Sequence, residues 1–370
     1  MPCWGVRRVA RGAEAMPSTR AARTRQAIGA ASALAMLALG GCATRDFPQS
    51  SFNPHSDYAG WIQTLNVQLI TWSVLIFLVV QVLLIVAVVR FRARPGAPPP
   101  KPVHGNTALE IAWTLAPAVI LTLVAIPTVA TIFRSQQPLR SSDLVVKAIG
   151  HQWWWEFQYP QSGVTTADEL HLPVGRPVSI EIESADVIHS FWVPAMGGKR
   201  DAIPNHTALL RFTPSSTGSF PGQCMEFCGV GHANMRLSLE VEPPGAFAAW
   251  LAAQLGPPVG GAPTESATAE AAGPGAALSP LAAEGRRYFS QGACIGCHTI
   301  QGISSGVIGP NLTHFASRAS FAGAMFERTP QNLGRWLSDP PGQKPGTRMP
   351  NLALPPDQVR ALVAYLESLK

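Results

Sequence analysis

The chain has 370 residues, of which 46% are hydrophobic and 14% are charged, and it contains 34 prolines and 33 glycines. Its mean hydropathy of +0.14 is high for a purely soluble protein, so part of the chain is expected in a membrane. The prolines and glycines exclude one continuous helical bundle. Six Arg and one Glu in residues 1–41 account for most of the net charge of +6, which leaves no basic surface for a nucleic-acid partner.

Residues 1–41 have the layout of a secretory signal. A cluster of arginines precedes an apolar run at 27–39, and small residues follow that run. The small residues ending at Cys42 resemble a bacterial lipoprotein box, which implies cleavage before Cys42 and a lipid on its sulfur. A plain signal peptide with an incidental cysteine is the alternative, and Met16 is an alternative start to Met1.

Region 42–138 contains two apolar stretches, at about 65–89 and 111–133, each long enough to cross roughly 30 Å of hydrocarbon as a helix. Four basic residues lie between positions 90 and 101, so the positive-inside rule predicts a cytoplasmic loop. Both soluble regions are then expected in the periplasm, on a bacterial inner membrane. Glu110 lies where the second stretch begins, and a carboxylate there is either solvated at the interface or part of a pathway.

Region 139–255 is rich in short β-forming runs that are separated by Pro, Gly or Ser. The runs lie at 144–149, 153–159, 177–183, 208–212 and 235–241. This pattern predicts a β-sandwich or a β-barrel.

Soft metal donors are concentrated near the end of this region. Cys224, Cys228, His232 and Met235 lie within twelve residues, and His189 lies 35 residues upstream of the first cysteine. Thiolate, thioether and imidazole together favour copper. One blue copper would use a single thiolate, so the second thiolate favours a two-copper centre, with a disulfide or a zinc site as alternatives.

Residues 224–235 form a Cys-x-Glu-x-Cys-x-x-x-His-x-x-Met string. Because of this string, residues 55–255 resemble subunit II of haem-copper cytochrome c oxidases. The resemblance implies a cupredoxin-like domain over 139–255 that binds the binuclear CuA centre. It implies bridging by Cys224 and Cys228, side-chain ligation by His189, His232 and Met235, and ligation through the backbone carbonyl of Glu226. It also implies that the Glu226 side chain is directed towards a magnesium ion shared with subunit I.

Three further motifs carry the same resemblance. Residues 186–191 contain the first histidine ligand, 109–114 read Leu-Glu-Ile-Ala-Trp-Thr, and 150–155 read Gly-His-Gln-Trp-Trp-Trp. The resemblance implies that Glu110 lies near the entrance of the K proton pathway and that Trp153 receives the incoming electrons. The family usually has Tyr in the middle of the aromatic triplet, and core packing is the alternative role for the triplet.

Region 281–370 contains Cys294-Ile295-Gly296-Cys297-His298, the attachment motif of c-type haem. In this motif both thiols form thioethers to the haem and the histidine becomes an axial ligand. A thioredoxin-like redox pair is the alternative, but it needs no adjacent His. Helical patterns are predicted at 281–290, 330–337 and 355–369.

The sixth haem ligand has three candidates. Met349 is preferred because it lies in a turn-rich Met-Pro loop, whereas Met325 lies among small and aromatic packing residues and His314 would leave that loop without a role. This region resembles small bacterial class I cytochromes c, which implies an all-α fold in which the Gly309-Pro310 segment supports the proximal histidine.

The whole chain resembles the oxidase subunit II class in which a cytochrome c domain follows the CuA domain. The implied fold is a two-helix transmembrane hairpin, a cupredoxin-like β-barrel domain and an all-α cytochrome c domain. The implied function is electron input to a terminal respiratory oxidase, from a cytochrome c donor through covalent haem c and CuA to subunit I, which reduces dioxygen and pumps protons. The implied partners are subunit I, other oxidase subunits, the donor and membrane lipid. A CuA-containing nitric oxide reductase and a membrane-anchored copper carrier are the alternatives.

The two soluble regions have opposite formal charge and are joined by a Gly- and Pro-rich segment at 256–280. Region 139–255 has seven basic and eleven acidic residues, and region 281–370 has nine basic and five acidic residues. The joining segment is predicted to be a flexible linker. Opposite charge predicts electrostatic docking of the two regions, with internal electron transfer that slows as ionic strength rises.

Overall fold

The computed structural model describes residues 47–96, 102, 104–258 and 278–370. The predicted signal, Cys42, Lys101 and most of the predicted linker lie outside the described residues. The described part contains two long apolar helices, a β-sandwich and a group of short helices.

The two apolar helices are α1 (Asp57–Arg90) and α2 (Thr107–Ser135), both long and apolar enough to cross a membrane. Each begins several residues before the predicted span because a polar residue caps it. The Ser56 hydroxyl accepts a hydrogen bond from Ala59 N, and the Asn106 side chain accepts from the first turn of α2. The apolar spans therefore continue into hydrogen-bonded ends that suit the membrane surface.

The next region is a sandwich of two five-stranded sheets, which we call the copper domain. The first sheet has the order β3-β2-β1-β5-β8 and the second the order β4-β10-β9-β6-β7. The strands are β1 (Leu144–His151), β2 (Trp154–Tyr159), β3 (Val164–Ala167), β4 (Glu169–Pro173), β5 (Val178–Ser184), β6 (His189–Trp192), β7 (Arg200–Ala202), β8 (Ala208–Phe212), β9 (Gly218–Cys224) and β10 (Arg236–Glu242). The predicted β-sandwich is confirmed.

Side-chain alternation explains where the core of the sandwich lies. Every second residue of β1 is buried, and the facing sheet contributes Phe191 and Leu239 to the same core. Helix α3 (Pro244–Leu255) follows β10, and its Trp250 stacks on His171 of β4 with ring centroids 4.1 Å apart. The last strand is thus fixed to the sandwich before the chain leaves it.

The C-terminal region, which we call the haem domain, is built from short helices. They are α4 (Pro280–Gln291), α5 (Pro330–Ser338), α6 (Pro340–Gln343) and α7 (Pro356–Leu366). Helices α4 and α7 cross so closely that a Cβ on Gly285 would collide with the Ala361 carbonyl, so this crossing requires glycine. Two short ribbons, at 299–305 and 320–327, are additions to the predicted all-α pattern.

Both soluble domains belong to one compact unit, Pro48–Lys370. Their contact surface includes Gln152, Trp153 and Glu169 of the copper domain and the 319–349 part of the haem domain.

Candidate copper and haem sites

Two buried thiols form the centre of the first site. Cys224 ends β9 and Cys228 lies in the loop after it, each is only 3% exposed, and their Sγ atoms are 3.8 Å apart. Both are free thiols, so the described cysteines form no disulfide here. His189 Nδ1 lies 3.9 Å from the Cys224 sulfur, and His232 Nδ1 lies 3.6 Å from the Cys228 sulfur. Each sulfur therefore has one imidazole beside it.

The remaining predicted donors lie against the same two sulfurs. Met235 Sδ is 3.9 Å from Cys228 Sγ, and the backbone carbonyl of Glu226 accepts a hydrogen bond from Cys224 Sγ at 3.3 Å. The Glu226 side chain points away from the sulfurs and lies 3.3 Å from Lys199 Nζ. All six sequence-predicted residues are thus together. Ligand atoms of His189, Cys224 and Cys228 lie within 4.8 Å of one another, a spacing that suits a metal.

One residue that sequence reasoning left without a role orients the first histidine. Asp186 Oδ1 lies 2.8 Å from His189 Nε2, which directs Nδ1 of the same ring towards Cys224. Burial lowers the pKa of His189, but the hydrogen bonds with Cys224 and Asp186 outweigh it and raise that pKa above its usual value. The position of Asp186 three residues before a ligand histidine is the signal that could have identified it.

The two thiols differ in acidity because they share one hydrogen bond. Hydrogen bonding from Cys228 lowers the pKa of Cys224, while the same neighbour and burial raise the pKa of Cys228. A bound cation would favour ionisation of both.

The aromatic triplet divides into three environments. Trp153 packs on the loop that carries the second thiol, and its Nε1 donates to the Cys228 carbonyl at 3.0 Å. A Cβ on Gly231 would lie 2.5 Å from its indole, so the loop reaches the ring only because it has glycine there. Trp154 stacks on His151, with centroids 4.2 Å apart, and Trp155 is fully buried in the core.

The second site is a cavity of about 230 Å³ in the haem domain. Cys294, Cys297 and His298 line it, and Met349 lines it as well. Apolar residues provide much of the remaining wall, including Phe289, Leu312, Phe315, Leu337 and Leu362. Two cysteines, two axial donors and an apolar wall are the groups that a c-type haem requires.

The histidine of the attachment motif is held by the backbone. Its Nδ1 lies 2.8 Å from the Pro310 carbonyl, which fixes the ring and leaves Nε2 as the nitrogen that can bind a metal. Burial lowers the pKa of His298, so the ring is neutral and able to bind iron. Gly309 lies directly against the ring, since a Cβ there would be 2.6 Å from it.

The three candidates for the sixth ligand occupy different places. Among the described residues, the cavity wall includes Met349 but neither Met325 nor His314. His314 is buried beside the C-terminal end of the chain.

Glu110 lies in the first turn of α2. Its side chain is directed towards Gly105, where a Cβ would be 2.8 Å from Oε1.

Three family models match the chain. "Cytochrome C oxidase subunit II, transmembrane domain" matches residues 49–131, "Cytochrome C oxidase subunit II, periplasmic domain" matches 162–242, and "Cytochrome c" matches 282–370. The two subunit II models thus cover most of the two apolar helices and strands β3 to β10 of the sandwich, and the third covers most of the haem domain.

Named relatives align over most of the chain. The cytochrome c oxidase subunit 2 of Alkalihalophilus pseudofirmus is 35% identical over 328 residues, which are 87% of this chain and 91% of the relative. The same subunit of Bacillus subtilis is 32% identical, and the alignment covers 76% of this chain and 81% of the relative. A crystal structure of the periplasmic domain of subunit II of cytochrome oxidase from Bradyrhizobium japonicum is 33% identical, covering 32% of this chain and 96% of that one, with a TM-score of 0.31.

The matched domains imply copper in the sandwich, haem in the C-terminal domain and attachment to a membrane through two spans. They also suggest a complex with subunit I and other oxidase subunits. The chain therefore belongs to the cytochrome c oxidase subunit II family, in a form that carries a cytochrome c domain after its periplasmic domain, and it serves electron input to a terminal oxidase, an oxidoreductase.

Proposed function

We propose that this chain passes electrons one at a time from a cytochrome c donor, through covalently attached haem c and a binuclear CuA centre, to subunit I of a proton-pumping oxidase that reduces dioxygen to water. The observation that carries the proposal is the pair of free thiols 3.8 Å apart, each with its own imidazole. A single blue copper would leave one of these thiols unused, and a single zinc would leave the Met235 thioether unused.

In the copper domain, Cys224 and Cys228 would bridge two copper ions. His189 would complete one copper and His232 the other, while the Met235 thioether and the Glu226 carbonyl supply the weaker ligands. The distances among these donors support the assignment, because each weak donor lies within 4 Å of a sulfur. Asp186 would hold the His189 ring in the orientation that directs its Nδ1 towards Cys224.

In the haem domain, Cys294 and Cys297 would form the two thioethers. His298 and Met349 would be the two residues that bind the iron. The neutral state of His298 and the position of Met349 in the cavity wall support these roles.

Three further roles belong to the same proposal. Trp153 would carry electrons towards copper, supported by its hydrogen bond to the Cys228 carbonyl. The exposed Glu226 carboxylate would share a magnesium ion with subunit I, and Glu110 would stand at the start of a proton pathway. Both are supported by their positions outside the copper cluster.

We also propose the orientation and the domain limits. The basic segment after α1 would face the cytoplasm, with both soluble domains in the periplasm of a bacterial inner membrane and membrane lipid around α1 and α2. The limits are a lipoprotein signal at 1–41, a membrane region at 42–138, the CuA domain at 139–255, a linker at 256–280 and the cytochrome c domain at 281–370.

Metal analysis and electron paramagnetic resonance of the full chain test the central claim. We expect two coppers and one haem per chain, with one unpaired electron shared equally by two copper nuclei. A hyperfine pattern from a single copper nucleus would refute the binuclear centre. If acid-acetone extracted the haem, as shown by a pyridine haemochrome spectrum of the extract, covalent attachment would be refuted.

A further inference from the structure

Four buried charged residues lie where the copper domain and the haem domain meet, and we call them the interdomain seam. Asp168 and Glu169 come from the copper domain, and Arg318 and Lys344 come from the haem domain. All four are between 2% and 7% exposed. Charged residues are rarely this buried unless they are paired, so the seam is a specific contact between the domains.

The carboxylates of the seam accept hydrogen bonds from the backbone of the haem domain. Asp168 Oδ2 accepts from Gly323 N at 2.7 Å, and Glu169 Oε1 accepts from Ala319 N at 2.6 Å and Ser320 N at 3.0 Å. Charge-assisted bonds of this kind are stronger than neutral ones. The seam therefore fixes residues 319–323 of the haem domain to the end of β3 and the start of β4 in the copper domain.

Lys344 makes the reciprocal contact from the haem domain. Its Nζ donates to the Trp153 carbonyl at 2.6 Å and to the Ala322 carbonyl at 2.8 Å, and Asp168 provides the nearby negative charge. One ammonium group thus holds the backbone of the predicted electron carrier and the ribbon of the haem domain together.

The same contact brings the Met349 loop against the Trp153 ring. A Cβ on Gly346, three residues before Met349, would lie 2.9 Å from the indole. On its other side the indole donates to the Cys228 carbonyl. Arg348 adds a peripheral contact, donating to Gln152 Oε1 at 3.0 Å. The Met349 loop, the indole and the copper loop are therefore in continuous contact.

We propose that Lys344 and Asp168 are positioning residues that hold the haem domain against Trp153 for electron transfer within the chain. This inference rests on the proposed function, since it assigns geometry to the step between haem c and CuA. Neither residue is one of the predicted copper or haem ligands; both line the haem cavity, where they act through the placement of the Met349 loop.

The test compares Lys344→Met with Lys147→Met in the full chain within its oxidase. Lys147 also pairs with carboxylates, Glu181 and Glu183, but these three side chains are half-buried and lie outside the contact between the domains. Two quantities are measured in each variant: the rate at which flash-reduced haem c reduces CuA, and hydrogen exchange at the amides of residues 319–323. The copper and haem spectra show whether both centres are intact.

We expect Lys344→Met to slow internal transfer and to speed exchange at 319–323 by about tenfold or more, because it removes both hydrogen bonds from Nζ and leaves the buried Asp168 without its nearby positive charge. Lys147→Met should change neither. Unchanged transfer and exchange in Lys344→Met with intact spectra would overturn the proposal. If that variant lost its haem, Asp168→Asn, which changes the charge but not the side-chain size on the copper-domain side of the cavity wall, would decide by the same two measurements.

The failure of the proposed function gives a different result. In that case haem c of the unmodified chain would not reduce CuA at all, while the exchange difference between the two lysine variants would persist. If only the positioning role of Lys344 and Asp168 fails, haem c of the unmodified chain still reduces CuA, and the two lysine variants have the same transfer and exchange rates.

Discussion

The copper site and the haem cavity are built in opposite ways, although both collect sulfur and imidazole. Backbone pairing inside one sandwich holds the copper donors, with Cys224 N donating to the Met235 carbonyl at 2.9 Å. The haem cavity is a space between short helices, and Trp153 of the other domain forms part of its wall. A donor set fixed by its own sheet is independent of the neighbouring domain, whereas a cavity with a shared wall depends on it.

The largest expected effect comes from breaking the copper centre alone. Cys228→Ser removes one of two bridging thiolates, so at most one copper can bind and the mixed-valence resonance should disappear. The haem spectrum should remain, because the haem ligands lie in the other domain. Metal content and paramagnetic resonance measure the first effect, and visible absorption measures the second.

Retention of the shared-electron signal in Cys228→Ser would show that this thiolate is not a bridge. Loss of the haem spectrum together with copper would show that the two sites are not independent.

The next effect concerns the haem cavity. Met349→Ala should abolish the methionine-to-iron charge-transfer band of the ferric haem, while attachment through Cys294 and Cys297 survives. Met325→Ala is the matched control, because Met325 lies outside the cavity wall. The band is measured in ferric spectra of both variants. Its loss in Met325→Ala alone would show that Met325, and not Met349, is the sixth ligand.

The scaffold of the copper domain can be weakened without touching either centre. Arg211 donates two hydrogen bonds to the buried Asp143 carboxylate, at 2.7 and 3.1 Å. These bonds lower the pKa of Asp143 from 3.8 to about 2. The stabilisation is therefore complete above pH 3.8 and is lost as the pH falls through about 2, and it amounts to roughly 2 kcal/mol.

Asp143→Asn should lower the free energy of unfolding of the copper domain by that amount at neutral pH and by less at pH 2. Glu183→Gln, which disturbs a partly exposed pair with Lys147, should change it by about 0.5 kcal/mol or less. Chemical unfolding of the full chain, followed by CuA absorption, measures both. Equal effects of the two substitutions would contradict the assigned role of the buried pair.

The smallest effect is that of salt on internal electron transfer. Formal charge predicted a rate that falls with ionic strength, but the seam residues are buried, and salt screens buried pairs little. We expect the rate to change by less than about twofold between roughly 10 and 500 mM ionic strength. Flash photoreduction measures it, and a steep fall would mean that exposed charges control docking in each turnover.

Local spacing was enough to group most of the predicted donors of both sites, whereas His189 and Met349 lie outside the two short motifs and were assigned with the help of the family resemblance. The cysteines, His232 and Met235 share one short loop, and the haem motif occupies five consecutive residues, so their meeting needs little folding information. The strand prediction at 144–149 was also close to β1, because that strand alternates buried and half-buried residues.

The missed features depend on contacts that are distant in sequence. Strand β4 is buried along its whole length and shows no alternation, and β9 contains two glycines and a proline, which weaken any strand pattern. The contact of Asp168 with Gly323 joins residues 155 positions apart. No local pattern encodes such a pairing, so the seam emerges only from the folded chain.

The burial of Trp153 changes the reaction order of the proposed relay. The indole is 9% exposed, with Gly346 against its ring, and is therefore closed to collision by a second protein. Delivery of an electron to copper becomes a first-order event inside one chain, independent of how much soluble donor is present. Donor concentration then governs only the refilling of haem c, which acts as a resident reservoir for the oxidase.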